Sequence, residues 1–212
     1  MARLPEDEMR QIVRRISKID QAFKPIIASS PLCTIGLRKY NRSHFETLLN
    51  SILSQQLATK AADTIIKRVV DLVDGRPEPE KLLKITPEKL REAGVSAAKA
   101  RSIHELSDAI LSGNINFQKF PKLTNSEISD ELTKIWGIGR WTSEMFLMFH
   151  LGRLDVWPVG DLGMRRGWEK LHKMRTEIDP KKLDVIGRKF EGFQSVVAWY
   201  CWRATEGETS NW

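Results

Sequence analysis

The stretch Leu132-Thr-Lys-Ile-Trp-Gly-Ile-Gly-Arg-Trp-Thr-Ser-Glu-Met-Phe146 reads as the end of one helix, a Gly-x-Gly bend and the start of another. Gly137 and Gly139 carry no Cβ, so the backbone between them can approach a ligand closely. The second helix is expected to begin at about Arg140. Its first N–H groups lack intrahelical acceptors and point back at the bend, which makes an anion site. A carboxylate, Asp161, follows within Trp157-Pro-Val-Gly-Asp-Leu-Gly-Met-Arg-Arg166.

The rest of the chain suggests which anion. Among 212 residues, 34 Lys and Arg outnumber 27 Asp and Glu, leaving a formal charge of +7. The sequence pI of about 9.5 suits a polyanion, nucleic acid above all. Taken alone, that surplus equally describes a solvated basic surface. The two cysteines, Cys33 and Cys201, sit in apolar surroundings and read as small core residues. They cannot build a disulfide framework or the four-thiolate set of an iron–sulfur cluster. The longest apolar run, Val196 to Trp202, is far short of the roughly 20 residues of a membrane helix. The N-terminal residues hold no apolar signal core. A soluble, intracellular protein without a membrane partner is expected, and a nuclear one if the source is a eukaryote.

Helix signals dominate. Pro5 to Phe23 has Met9, Ile12, Val13, Ile16 and Ile19 at helical spacing, while Lys24 to Arg42 looks irregular. Ser43 with Glu46, and Thr124 with Glu127, form capping boxes. Thr86-Pro87, Ser96 and Asp179-Pro180 mark further starts, and Asp161 stands where a helix through Leu171 would begin. Roughly ten helices and no period-two strand give an all-α fold. Residues 1–42 are expected to pack with about 175–212 as one helical lobe, with about 43–174 as the other and the hairpin beside a cleft between them.

Ile52-Leu-Ser-Gln-Gln-Leu-Ala-Thr-Lys-Ala-Ala62, the hairpin, the Trp157–Gly167 segment and, more weakly, Gly192 to Arg203 occur in the family order of the helix-hairpin-helix (HhH-GPD) DNA glycosylase superfamily. The chain resembles that superfamily over about residues 43–206, and within it the 3-methyladenine DNA glycosylase II branch. The resemblance implies an α-helical base-excision enzyme acting, as a monomer, on double-stranded DNA that carries a damaged base or abasic site. Backbone N–H groups around Gly137 and Gly139, with Arg140 and Thr142 at the following helix start, would hold a phosphate. Carbonyls of Thr133, Ile135 and Ile138 would hold a monovalent cation, Na+ or K+, and no other cofactor is implied.

Asp161 falls at the family's catalytic position. N-glycosidic cleavage passes through an oxocarbenium-like sugar, which a fixed carboxylate stabilises while orienting a water. An aspartate there also reads as an ordinary helix N-cap, and the two roles are compatible. Trp141 stands where bifunctional relatives carry a nucleophilic lysine, so hydrolysis without strand cleavage is implied. Its ring, with that of Phe193, is a candidate wall of the base pocket, since a cationic alkylated purine stacks well on an aromatic face. The other tryptophans read as packing. Ser54, Gln55 and Gln56 lie between two helical stretches; the resemblance places Gln56 where a side chain fills the hole left by a flipped base. Gly160, Met145 and Ala58 depart from the pattern. They keep open a homologue that binds abasic or damaged DNA without excising bases.

Overall fold

Side-chain caps begin six helices where the sequence marks them. The computed structural model describes residues 4–37 and 41–205, which contain twelve α-helices and no β-strand. The helices are α1 (Glu6–Ile19), α2 (Lys24–Ser29), α3 (His44–Ser54), α4 (Thr59–Asp71), α5 (Pro79–Lys84), α6 (Pro87–Glu92), α7 (Ala97–Leu111), α8 (Asn125–Leu132), α9 (Arg140–Met145), α10 (Leu162–Leu171), α11 (Pro180–Gly187) and α12 (Gln194–Thr205). Ser43, Thr86, Ser96, Thr124, Asp161 and Asp179 each accept a backbone N–H at the start of their helix. At Ser43 and Thr124 both halves of the capping box form. Two helices arise where none was expected: α2 within the stretch read as irregular, and α5 after Glu78; neither has a side-chain cap bond. None of the described helices is long and apolar enough to cross a membrane.

The chain divides into two units, Tyr40–Phe146 and Met1–Lys39 with Leu147–Trp212. The second division therefore falls after Phe146, earlier than the expected boundary near 175. Its physical reason is that α10 packs on α12. A Cβ on Gly167 of α10 would stand 1.9 Å from the Cys201 carbonyl oxygen, so only glycine permits that approach.

In the Tyr40–Phe146 unit, α3 buries Phe45, Leu48, Leu49, Ile52 and Leu53 as its spacing predicts. The helix α7 packs against α3, α5 and α6. The rings of His44, Phe117, Phe120 and Phe146 form an aromatic cluster with centroids 5.1–6.3 Å apart. In the other unit, Phe23, Trp168 and Phe190 meet at 5.8–6.2 Å. Beside them Asp20 accepts from His172 Nε2 at 3.0 Å and Lys189 Nζ at 2.9 Å. Both cysteines are buried, and burial pushes the Cys33 thiol up to about 12.

Candidate nucleic-acid interface

The hairpin follows directly from α8. The chain turns through 133–139, with Ile138 N–H donating to the Ile135 carbonyl at 3.0 Å, and re-enters a helix at Arg140 as expected. The two glycines do different work. Gly137 has φ +85°, and a Cβ there would lie 2.1 Å from Ser102 Oγ of α7, so the fold itself requires glycine. Gly139 is the N-cap of α9 at an ordinary φ of −85°, and a Cβ there would meet nothing within 4 Å. Among the described residues, nothing demands its glycine. Among the described residues, neither the Gly137 nor the Gly139 amide reaches a backbone acceptor.

Side chains around the bend sort into buried and open. Ile135 and Ile138 are buried, so only their backbone can face a ligand. Trp136, read as packing, is instead 42% exposed. Its N–H donates to Glu105 Oε2 at 3.0 Å, and the Arg101 guanidinium lies 4.5 Å over its ring. Trp141 is 46% exposed on the first turn of α9. Arg140 projects outward and pairs with Glu144 at 3.0 Å. Thr142 is buried, which leaves it no side-chain route to an external phosphate.

In the turn between α3 and α4, Gln56 is exposed and adopts φ +56°, a left-handed conformation that costs a non-glycine residue about 1–2 kcal/mol. Its two predecessors are engaged internally. Ser54 Oγ donates back to the Asn50 carbonyl at 2.7 Å. Gln55 Nε2 donates to the Gly137 carbonyl at 3.0 Å and approaches Thr142 Oγ1 at 3.4 Å. Ser54 and Gln55, which the resemblance places among the DNA-binding residues with Gln56, thus make a back-bond along α3 and a brace to the hairpin, and Ser54 stays exposed. Lys99 of α7, which the sequence did not single out, donates through Nζ to the carbonyls of Leu53 and Gln55, each at 2.7 Å. Burial lowers its ammonium below the usual lysine range.

In the other unit, Asp161 is the N-cap of α10. Its Oδ1 accepts Met164 N–H at 2.6 Å and the Trp202 indole N–H at 2.8 Å. Gly163 leaves room for this pairing: a Cβ would stand 3.3 Å from both Asp161 Oδ1 and Trp202 Cδ1. Trp202, expected only to pack, orients the carboxylate and lies beside Phe149 at 5.7 Å. Phe193 does not offer a stacking face. It is 3% exposed, with the Arg15 guanidinium 4.8 Å over its ring and Phe190 at 6.2 Å.

An all-helical chain with a glycine hairpin and a capped aspartate downstream has the parts of a base-excision protein. Residues 49–190 match the model of the HhH-GPD superfamily base excision DNA repair proteins, and the chain belongs to that family. It is similar to DNA-3-methyladenine glycosylase 1 of Schizosaccharomyces pombe, at 32% identity over 94% of this chain and 92% of that protein. The crystal structure of DNA-3-methyladenine glycosidase from Bacillus halodurans superimposes with a TM-score of 0.82 at 36% identity, covering 92% of this chain and 89% of that one. A Schizosaccharomyces pombe 3-methyladenine DNA glycosylase in complex with abasic DNA gives a TM-score of 0.77 at 31% identity, covering 95% of this chain and 100% of that one.

Proposed function

We propose that the chain is a monofunctional DNA glycosylase of base excision repair, which flips and hydrolytically removes alkylated purines such as 3-methyladenine from double-stranded DNA. The observation that carries this reading is the fixed carboxylate of Asp161, held on one oxygen by Met164 N–H and Trp202 Nε1–H. A carboxylate oriented before the substrate arrives can stabilise the oxocarbenium-like sugar and direct a water to it without reorganising. The alkylated base is already a good leaving group, so a strong general acid is unnecessary. Trp141 cannot form a Schiff base, which makes strand cleavage by the family's lysine route inaccessible. Its exposed ring is a face on which a cationic base can stack.

The amides of Gly137 and Gly139 supply the phosphate contact in this reading, and Gln56 fills the vacated stack. The carbonyls of Thr133, Ile135 and Ile138 would hold Na+ or K+. That of Ile135 retains a second lone pair beside its bond from Ile138, which is compatible with the assignment. The protein acts as a monomer in the compartment that holds its DNA, the nucleus in a eukaryote.

The test is release of methylated purines from an alkylated duplex. Wild-type protein is expected to release them, and Asp161→Asn to abolish release while folding normally, because asparagine also caps helices. Tight binding to abasic duplex without any base release would overturn the enzymatic reading in favour of a non-excising binder.

A further inference from the structure

We propose that Lys99 is a positioning residue for lesion recognition, tying the turn that presents Gln56 to the helix on which the phosphate-binding bend rests. The inference builds on the glycosylase reading above. It comes from the way one face of α7 serves two elements far apart in sequence. The last carbonyls of a helix have no intrahelical donors. At the end of α3 the Lys99 ammonium supplies them, reaching the Leu53 and Gln55 carbonyls at 2.7 Å each. These are charge-assisted bonds, and a cation at a helix C-terminus also complements the helix dipole.

One turn along the same face, Ser102 fills the space beneath Gly137. A further turn along, Glu105 accepts the Trp136 N–H at 3.0 Å. Residues spaced by three on a helix are surface neighbours. The arrangement closes on itself, because Gln55 Nε2 donates to the Gly137 carbonyl at 3.0 Å. Gln56, next in the chain, holds φ +56°. A non-glycine residue stays in that region only where its surroundings over-determine it, and the bonds on either side of Gln55 do so here. The filling side chain and the phosphate grip are therefore parts of one braced piece. Without the ammonium, the turn is free to leave the left-handed conformation and Gln56 loses its aim, while the phosphate contact persists.

The experiment compares binding of the full chain to an undamaged duplex and to the same duplex with one tetrahydrofuran abasic analogue. Lys99→Met is expected to melt cooperatively and to keep its affinity for undamaged DNA. Its preference for the abasic duplex should fall about tenfold, or about 1.4 kcal/mol. Lys99→Arg, which retains charge and donors, should recover most of that preference. Should Lys99→Met fail to melt cooperatively, Lys99→Gln takes its place with the same expected outcome. An unchanged preference, or an equal loss on both duplexes, overturns the proposal. Gln56→Ala separates the two levels. If it collapses the preference while Lys99→Met does not, the role of Lys99 fails and that of Gln56 stands. If the wild-type protein shows no preference for the abasic duplex, there is no discrimination for Lys99 to support and this inference fails, while the glycosylase reading is decided separately by base release.

Discussion

The indole N–H of Trp202 donates to Oδ1 of Asp161 at 2.8 Å, on the oxygen that also accepts Met164 N–H at 2.6 Å. The two donors come from different helices, α12 and α10, so the carboxylate is fixed by tertiary packing as well as by its own cap. A hydrogen bond to a charged group contributes about 1.5–3 kcal/mol. Trp202→Phe removes the donor and keeps an aromatic ring. We expect it to slow single-turnover base release by about 10- to 100-fold, since each 1.36 kcal/mol is a factor of ten in rate. Abasic-duplex affinity should be unaffected. Release at the wild-type rate would show that the indole does not support the role proposed for Asp161.

The two hairpin glycines should separate stability from binding. Gly139→Ala introduces a methyl into open space at an ordinary φ, at a cap position where alanine is about 0.5–1 kcal/mol worse than glycine. Its thermal midpoint should drop only slightly, while duplex affinity falls because the methyl meets the approaching phosphate. Gly137→Ala combines a left-handed backbone, costing about 1–2 kcal/mol, with a clash against Ser102 Oγ, and should destabilise the protein outright. Calorimetry and fluorescence anisotropy on both variants test the contrast; equal stability losses would remove it.

Acid stability should report on Asp20. Burial pushes its carboxyl up, but bonds from His172, Lys189 and the Ala22 N–H outweigh this and hold it below the usual 3.8. A carboxyl with a depressed folded value contributes stability above its unfolded value and loses it as pH falls through the folded one. Asp20→Asn is therefore expected to be less stable than wild type at neutral pH. The gap should close below pH 3.8, on urea titrations run at a series of pH values. A gap that persists undiminished at the acid end would contradict the assignment.

DNA affinity should fall steeply with salt. Each phosphate neutralised by Lys or Arg releases counterions, giving a log–log slope of about −0.9 per contact. Arg140→Ala should lessen the slope if that side chain, 77% exposed, exchanges its Glu144 partner for a phosphate. Affinity insensitive to salt would contradict binding through phosphates.

What the sequence made legible was mostly local. Ser43, Thr86, Ser96, Thr124, Asp161 and Asp179 announce their helices because a cap bonds a backbone N–H two or three residues away. The helix α5 lacked that signal and passed unread. The rest depended on partners distant in the chain. Nothing near Lys99 indicates that Leu53 and Gln55 will lie within its reach. Nor does the spacing of Gly137 and Gly139 reveal that only the first is crowded by Ser102. Phe193 and Trp202 were both aromatic residues of one C-terminal motif. Burial under Arg15 took the first out of reach, and the second emerged beside Asp161.

Gly167 has a role that extends beyond its own contact with Cys201. The helix α10 carries Asp161 at its head and α12 carries the indole that steadies it, and the separation of these helices is set by a missing methyl group. Substituting alanine at 167 would act as a wedge, prising the acid from its indole without touching either. A mutation one and a half turns along the helix, chemically mute and buried against Cys201, would thereby loosen a carboxylate it never meets.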